Sequence, residues 1–94
     1  MTMRLDDRAW IPPHVLVKGL GDEAVLLDLG TEAYFGLNPV ATRMWTLLTS
    51  SPTIGDALEA LGVEYEVDAE TLRGDLERFV DELRAKGLIG VGDA

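Results

Sequence analysis

Residues Glu23–Asn38 read Glu-Ala-Val-Leu-Leu-Asp-Leu-Gly-Thr-Glu-Ala-Tyr-Phe-Gly-Leu-Asn. Val25, Leu27 and Leu29 alternate with Leu26 and Asp28, which is the period of a strand. Gly30-Thr31-Glu32 supplies a turn, with glycine able to take a positive φ. Ala33–Leu37 is the return strand. Asn38-Pro39 then sets a cap residue before a proline at the first helical position. The stretch predicts a hairpin that runs straight into a helix.

Upstream, Met1–Ile11 has mixed polarity and no period, so a loosely held tail is expected, with Trp10 and Ile11 packing at its end. Pro12-Pro13 stiffens the entry to a first strand, His14–Lys18, and Gly19–Asp22 turns the chain. Neighbouring strands usually pair, so the simplest sheet is a meander with Glu23–Leu29 in its centre. The first strand is flanked by prolines and ends in Lys18, both of which discourage edge pairing. The third, Ala33–Leu37, has neither charge nor proline and is expected to be the open edge.

Three helices follow. Val40, Met44 and Leu48 make one stripe, widened by Ala41, Trp45 and Leu47, and Pro52 stops continuation. Thr53 with Asp56 is a capping-box pattern, Ile54, Ala57, Leu58 and Leu61 give helical spacing, and Gly62 is the expected end. Val63–Val67 is read as an extended connector. Asp68 is the N-cap of a third helix, with Val67 and Leu72 at staple positions. Leu72, Leu76, Phe79, Val80 and Leu83 form its stripe, and Gly87 is its C′ residue. Arg84 and Lys86 complement the C-terminal dipole. Leu88-Ile89 is expected to pack back on the core and Gly90–Ala94 to fray. The expected division is a tail over 1–13, a domain over 14–89 and a frayed end over 90–94. The order β-β-β-α-α-α predicts an α+β winged helix-turn-helix.

The chain has 94 residues and no cysteine, which excludes disulfides, thiolate metal sites and cysteine nucleophiles. A cytoplasmic location is compatible with that composition. No run is long and apolar enough for a membrane span. The lone histidine, His14, has no second histidine to share a metal, and no cofactor motif occurs. Ser50 and Ser51 sit in no nucleophile elbow. Catalysis is not expected in a domain this small, and no catalytic residue is assigned. The net charge is −9. A winged helix suggests DNA, but the third helix carries Asp68, Glu70, Asp75, Glu77, Asp81 and Glu82 against four basic residues, so phosphate binding is disfavoured.

What remains is peptide capture at the open edge, with Gly36 allowing close backbone approach. Ordering about eight peptide residues costs on the order of 8–16 kcal/mol. Backbone hydrogen bonds return only about 1 kcal/mol each. Two or three buried apolar side chains, at about 1.5–3 kcal/mol each, must supply the rest. Val80 and Leu83 are expected in the core, while Leu72 and Phe79 stay open between core and groove.

The run Ala24-Val25-Leu26-Leu27-Asp28-Leu29, then Tyr34-Phe35-Gly36-Leu37-Asn38, then Trp45, resembles the PqqD-like family. Asp75-Leu76, Phe79-Val80, Leu83 and Gly87-Leu88 fit it as well, so the similarity covers Val15 to Ile89. The resemblance implies a recognition element for ribosomally made, modified peptides, without catalysis. It implies that the leader of a precursor adds as a strand between the third strand and the third helix. By position, Tyr34, Phe35, Gly36 and Leu37 on the strand and Leu72, Asp75, Leu76 and Phe79 on the helix would contact it. Asp75 would meet a basic leader residue or a peptide N–H, or else pair with Arg73 or Arg78. The acidic stand-alone form looks most like the lasso-peptide branch, whose implied partners are a leader peptidase and a cyclase. The alternative branch serves a radical-SAM enzyme in pyrroloquinoline quinone synthesis.

Overall fold

The alternation over Glu23–Leu37 sets up the sheet it predicts. In the computed structural model, which describes residues 3–92, the chain forms β1 (Arg8–Trp10), β2 (Val15–Leu20), β3 (Glu23–Asp28) and β4 (Tyr34–Leu37). Helices α1 (Pro39–Ser50), α2 (Ile54–Glu64) and α3 (Ala69–Ala85) follow, then β5 (Gly90–Gly92). Strands β2, β3 and β4 make an antiparallel meander with β3 central, and three helices come after it. This is the expected α+β winged helix-turn-helix.

Opposed residues of an antiparallel pair share a face. Val17 stands opposite Leu26 and Leu26 opposite Phe35, so Ala24, Leu26, Asp28, Phe35 and Leu37 look inward. Leu16, Lys18, Val25, Leu27, Tyr34 and Gly36 look outward. The helices supply the rest of the core. Leu26, Leu48, Ile54, Leu61, Leu76, Val80 and Leu83 are all 0% exposed. Truncating any one of those leucines to alanine costs about 2–5 kcal/mol. Val80 and Leu83 therefore face inward as expected.

Each helix start is capped as its sequence proposes. Asn38 Oδ1 accepts from Ala41 N–H at 2.8 Å, Thr53 Oγ1 from Asp56 N–H at 3.1 Å, and Asp68 Oδ2 from Thr71 N–H at 3.2 Å. Gly87, at φ +70°, closes α3 in the left-handed conformation. Buried Leu88 and Ile89 then return to the core. Helix α2 does not stop at Gly62 but runs to Glu64. The two extra residues are tied to α1, because Arg43 Nε donates to both carboxylate oxygens of Glu64 at 2.9 Å.

The β3–β4 turn also corrects an expectation. The left-handed residue is Glu32, at φ 63°, and not Gly30. Gly30 has another reason to be there: a Cβ would lie 3.2 Å from Asp28 Oδ1. That oxygen accepts from Gly30 N–H at 2.8 Å and Thr31 N–H at 3.2 Å, so the small residue makes room for the hydrogen bond that shapes the turn.

The chain ends differ most from expectation. Arg8–Trp10 and Gly90–Gly92, read as loose tail and frayed end, pair antiparallel as a second, two-stranded sheet. Met3 is 2% exposed and Ala9 is 5% exposed, so both join the core. Carbonyls of Asp7 and Leu5 accept from Ile54 and Gly55 N–H, each at 2.8 Å, and satisfy donors that the start of α2 leaves free. Trp10 lies on Gly90, where any Cβ would collide with its indole. The outermost residues of the expected tails, Met1, Thr2, Asp93 and Ala94, lie outside the described residues.

Candidate functional site: the groove beside β4

Both outer strands of the β2-β3-β4 sheet leave backbone groups unpaired. The hydrogen-bond phase identifies which. Asp28 N–H donates to Ala33 C=O at 2.8 Å, so in the β3–β4 ladder the bonded pairs fall on Leu26·Phe35 and Ala24·Leu37. Tyr34 and Gly36 therefore turn N–H and C=O away from β3. Leu29 N–H donates to His14 C=O at 2.8 Å, which sets the β2–β3 phase. There Val17 and Gly19 turn outward. Gly36 has nothing within 4 Å of where its Cβ would stand, so the outer face of the sheet is open at that position.

What distinguishes β4 is its second wall. The C-cap residue of α3, Lys86, and Leu88 in the segment that follows stand across from it, and a hollow of about 380 Å³ lies between them. Tyr34 and Phe35 line the strand side, Lys86 and Leu88 the helix side, with Asp28, Thr31 and Ala33 at the turn. Lys86 Nζ sits 5.7 Å from the centre of the Phe35 ring, a cation–π contact across the hollow. His14 Nε2 lies 2.9 Å from Gly87 C=O and ties the start of β2 to the end of that wall.

The floor carries a perturbed carboxyl. Asp28 is 7% exposed. The Thr31 N–H first, then the Gly30 N–H and the nearby His14, hold its carboxyl below the usual carboxylate range, against an opposing effect of burial. Both of its side-chain hydrogen bonds fall on Oδ1 and shape the turn, and the carboxylate also lines the hollow.

The expected contact residues divide by exposure. Tyr34 is 78% exposed, Gly36 is exposed and Phe35 half-buried. Leu37, Leu72 and Leu76 are buried in the core. Leu72 also lines a different hollow, between α2 and α3, with Leu58 and Val67. Asp75 and Phe79 are half-buried on α3. They belong to the helical row Asp75, Phe79, Glu82, Lys86, whose last member reaches Phe35. Asp75 pairs with Arg78, the helical ion pair weighed for it. The structure thus brings Tyr34 and Phe35 together with Lys86 and Leu88. Leu88 and Lys86 were missed, and only the family's implied strand–helix groove pointed to that wall.

Among the described residues, no three histidine, aspartate or glutamate side chains group as metal ligands do, and no helix is long and apolar enough to cross a membrane.

Comparison with known proteins bears on the groove. The family model for coenzyme PQQ synthesis protein D (PqqD) matches residues 23–89. That span includes β3, β4 and all of α3. No curated protein matches. Two solved structures are similar. TbiB1, in complex with the TbiA(beta) leader peptide, is 38% identical over 85% of this chain and 93% of its own, with a TM-score of 0.81. A lasso peptide synthetase B1 complexed with its leader peptide is 26% identical over 90% of this chain and 98% of its own, with a TM-score of 0.78.

Proposed function

The chain belongs to the PqqD family, and from that premise we propose that it captures the leader segment of a ribosomally synthesised precursor peptide. The leader adds as a strand to β4 and lies between β4 and α3. The observation that carries this reading is the outward-turned backbone of Tyr34 and Gly36 beside a walled hollow. Strand addition needs both parts: hydrogen-bond partners for the peptide backbone, and a place to bury alternate side chains. The structural relatives support the ligand class, since both were solved with leader peptides.

The protein performs no chemistry on the peptide. It presents the precursor to a leader peptidase and a cyclase, the lasso-type division of labour. A second reading within the same family is delivery to a radical-SAM enzyme, which the family description, coenzyme PQQ synthesis, favours. The two readings share the groove and differ in the precursor.

Titration calorimetry of the full chain with leader segments of the short precursors encoded beside it tests the reading. One leader binds, and replacing its apolar anchors with glycine abolishes the signal. If no co-encoded leader binds, the proposal fails. Reconstitution with the co-encoded enzymes separates the branches: leader removal and ring closure that depend on this chain mark the lasso branch, whereas dependence of a radical-SAM reaction marks the other.

A further inference from the structure

The wall opposite β4 ends in one positive charge. Lys86 makes no ion pair among the described residues, whose pairs are Arg4–Asp6, Arg43–Glu64 and Arg78–Asp75. Of the residues lining the hollow it is the sole cation, and Asp28, bonded into the turn, is the sole anion. Upstream on the same helical row stand Glu82 and Asp75, the latter paired with Arg78. The whole chain carries −9, and Lys86 is a local positive charge on that acidic background.

Lys86 is also held in place. As the C-cap residue of α3 its N–H donates to Glu82 C=O at 3.2 Å. The next two residues are anchored, Gly87 by its contact with His14 and Leu88 by burial. The Lys86 side chain is exposed, and its ammonium group stands 5.7 Å from the centre of the Phe35 ring. A cation held over an aromatic ring at a groove mouth is placed toward a ligand more narrowly than a free surface lysine. The end of a helix carries partial negative charge, so without Lys86 this end of the groove repels an anion.

We infer that Lys86 selects a carboxylate side chain of the peptide, one that lies above Phe35 at the turn end of β4. The inference rests on the leader-binding reading and adds to it the charge the leader must carry at one position. A strand can add to an edge in several registers, and backbone hydrogen bonds alone distinguish them poorly. A single attractive point at one end fixes the register that apolar contacts alone leave free.

The probe is the co-encoded leader that binds in the titration above, prepared as two series in which each residue in turn is glutamate or lysine. With the wild-type chain, at least one position prefers glutamate over lysine by about tenfold in Kd. Lys86→Glu reverses that preference and Lys86→Met removes it, while circular dichroism shows the fold kept. Lys18→Glu makes the same change in net charge on β2 and leaves the preference intact. Raising sodium chloride shrinks the preference in the wild type and in Lys18→Glu, and shrinks the reversed preference of Lys86→Glu. Should no position change its preference by more than about twofold between wild type and Lys86→Glu, the inference is wrong while leader binding stands. If no leader binds the wild type, the parent reading fails, and this inference with it.

Discussion

The sheet ends in two unpaired strands, and they are not alike. Strand β2 is the longer, six residues against four for β4. It also shows more apolar surface: Leu16 and Leu20 are each 54% exposed. Judged on length and greasiness alone, β2 is the better template for another strand. Its one charge, Lys18, stands on the outer face opposite Val25 and does not guard the free backbone of Val17 and Gly19. Strand β4 differs in what lies beside it. The hollow beside β4 has a second wall, Lys86 and Leu88 after α3, whereas the hollow of about 360 Å³ on β2 is lined by sheet residues alone. An edge gives generic affinity, but a wall adds places for side chains and so makes one peptide better than another.

Paired substitutions break or sharpen that comparison. The largest effect is expected from proline at the outward-turned N–H groups. Gly36→Pro removes a donor from the β4 edge without touching the β3–β4 ladder. Leader binding is expected to weaken by about 2 kcal/mol or more, roughly thirtyfold in Kd. Gly19→Pro does the same to β2 and should leave the Kd unchanged in the same calorimetric titration. A reversed result would move the site to β2.

Side chains come next. Phe35→Ala removes the strand side of the hollow and is expected to weaken binding by about 2 kcal/mol. Leu16→Ala on β2 is expected to shift it by less than about 0.5 kcal/mol. Equal effects would mean that the wall contributes nothing. Tyr34→Ser probes the outer face of the added strand and should cost about 1 kcal/mol, read in the same assay.

The smallest effect concerns the turn that both strands flanking it depend on. The folded pKa of Asp28 lies below its unfolded value, so its contribution is present above about pH 4 and is lost as pH falls through the folded value. Glu64, held down by Arg43, loses its contribution in the same direction. Thermal melts at descending pH should therefore show Asp28→Asn with a shallower acid loss than wild type. An identical slope would show that the turn carboxylate is not linked to folding.

The sequence disclosed whatever short-range physics decides. Alternation over Glu23–Leu29, the caps at Asn38, Thr53 and Asp68 and the stripe Leu76–Val80–Leu83 each rest on residues a few positions apart. The open edge was legible, though for a partial reason, since the prolines and Lys18 of the first strand matter less than the missing wall beside it. The terminal sheet was not legible. Met3 and Ala9 are single apolar residues without period, and β1 exists because Gly90–Gly92 arrives beside it from the far end of the chain. Lys86 carried a sufficient local explanation, complementing the helix dipole, and nothing near it in sequence points to Phe35. Leu37, Leu72 and Leu76 show the converse: periodicity places them on an apolar face but does not say whether that face meets core or groove.

The packing of Trp10 on Gly90 gives the molecule a built-in optical reporter. The chain has two tryptophans. Trp45 is 3% exposed in the core, and Trp10 is 41% exposed where the two ends of the chain meet. Core melting changes the emission of both indoles, whereas parting of the terminal strands alone reddens only Trp10. With Trp10→Phe and Trp45→Phe as single-emitter versions, fluorescence distinguishes a chain that opens at its ends from one that unfolds.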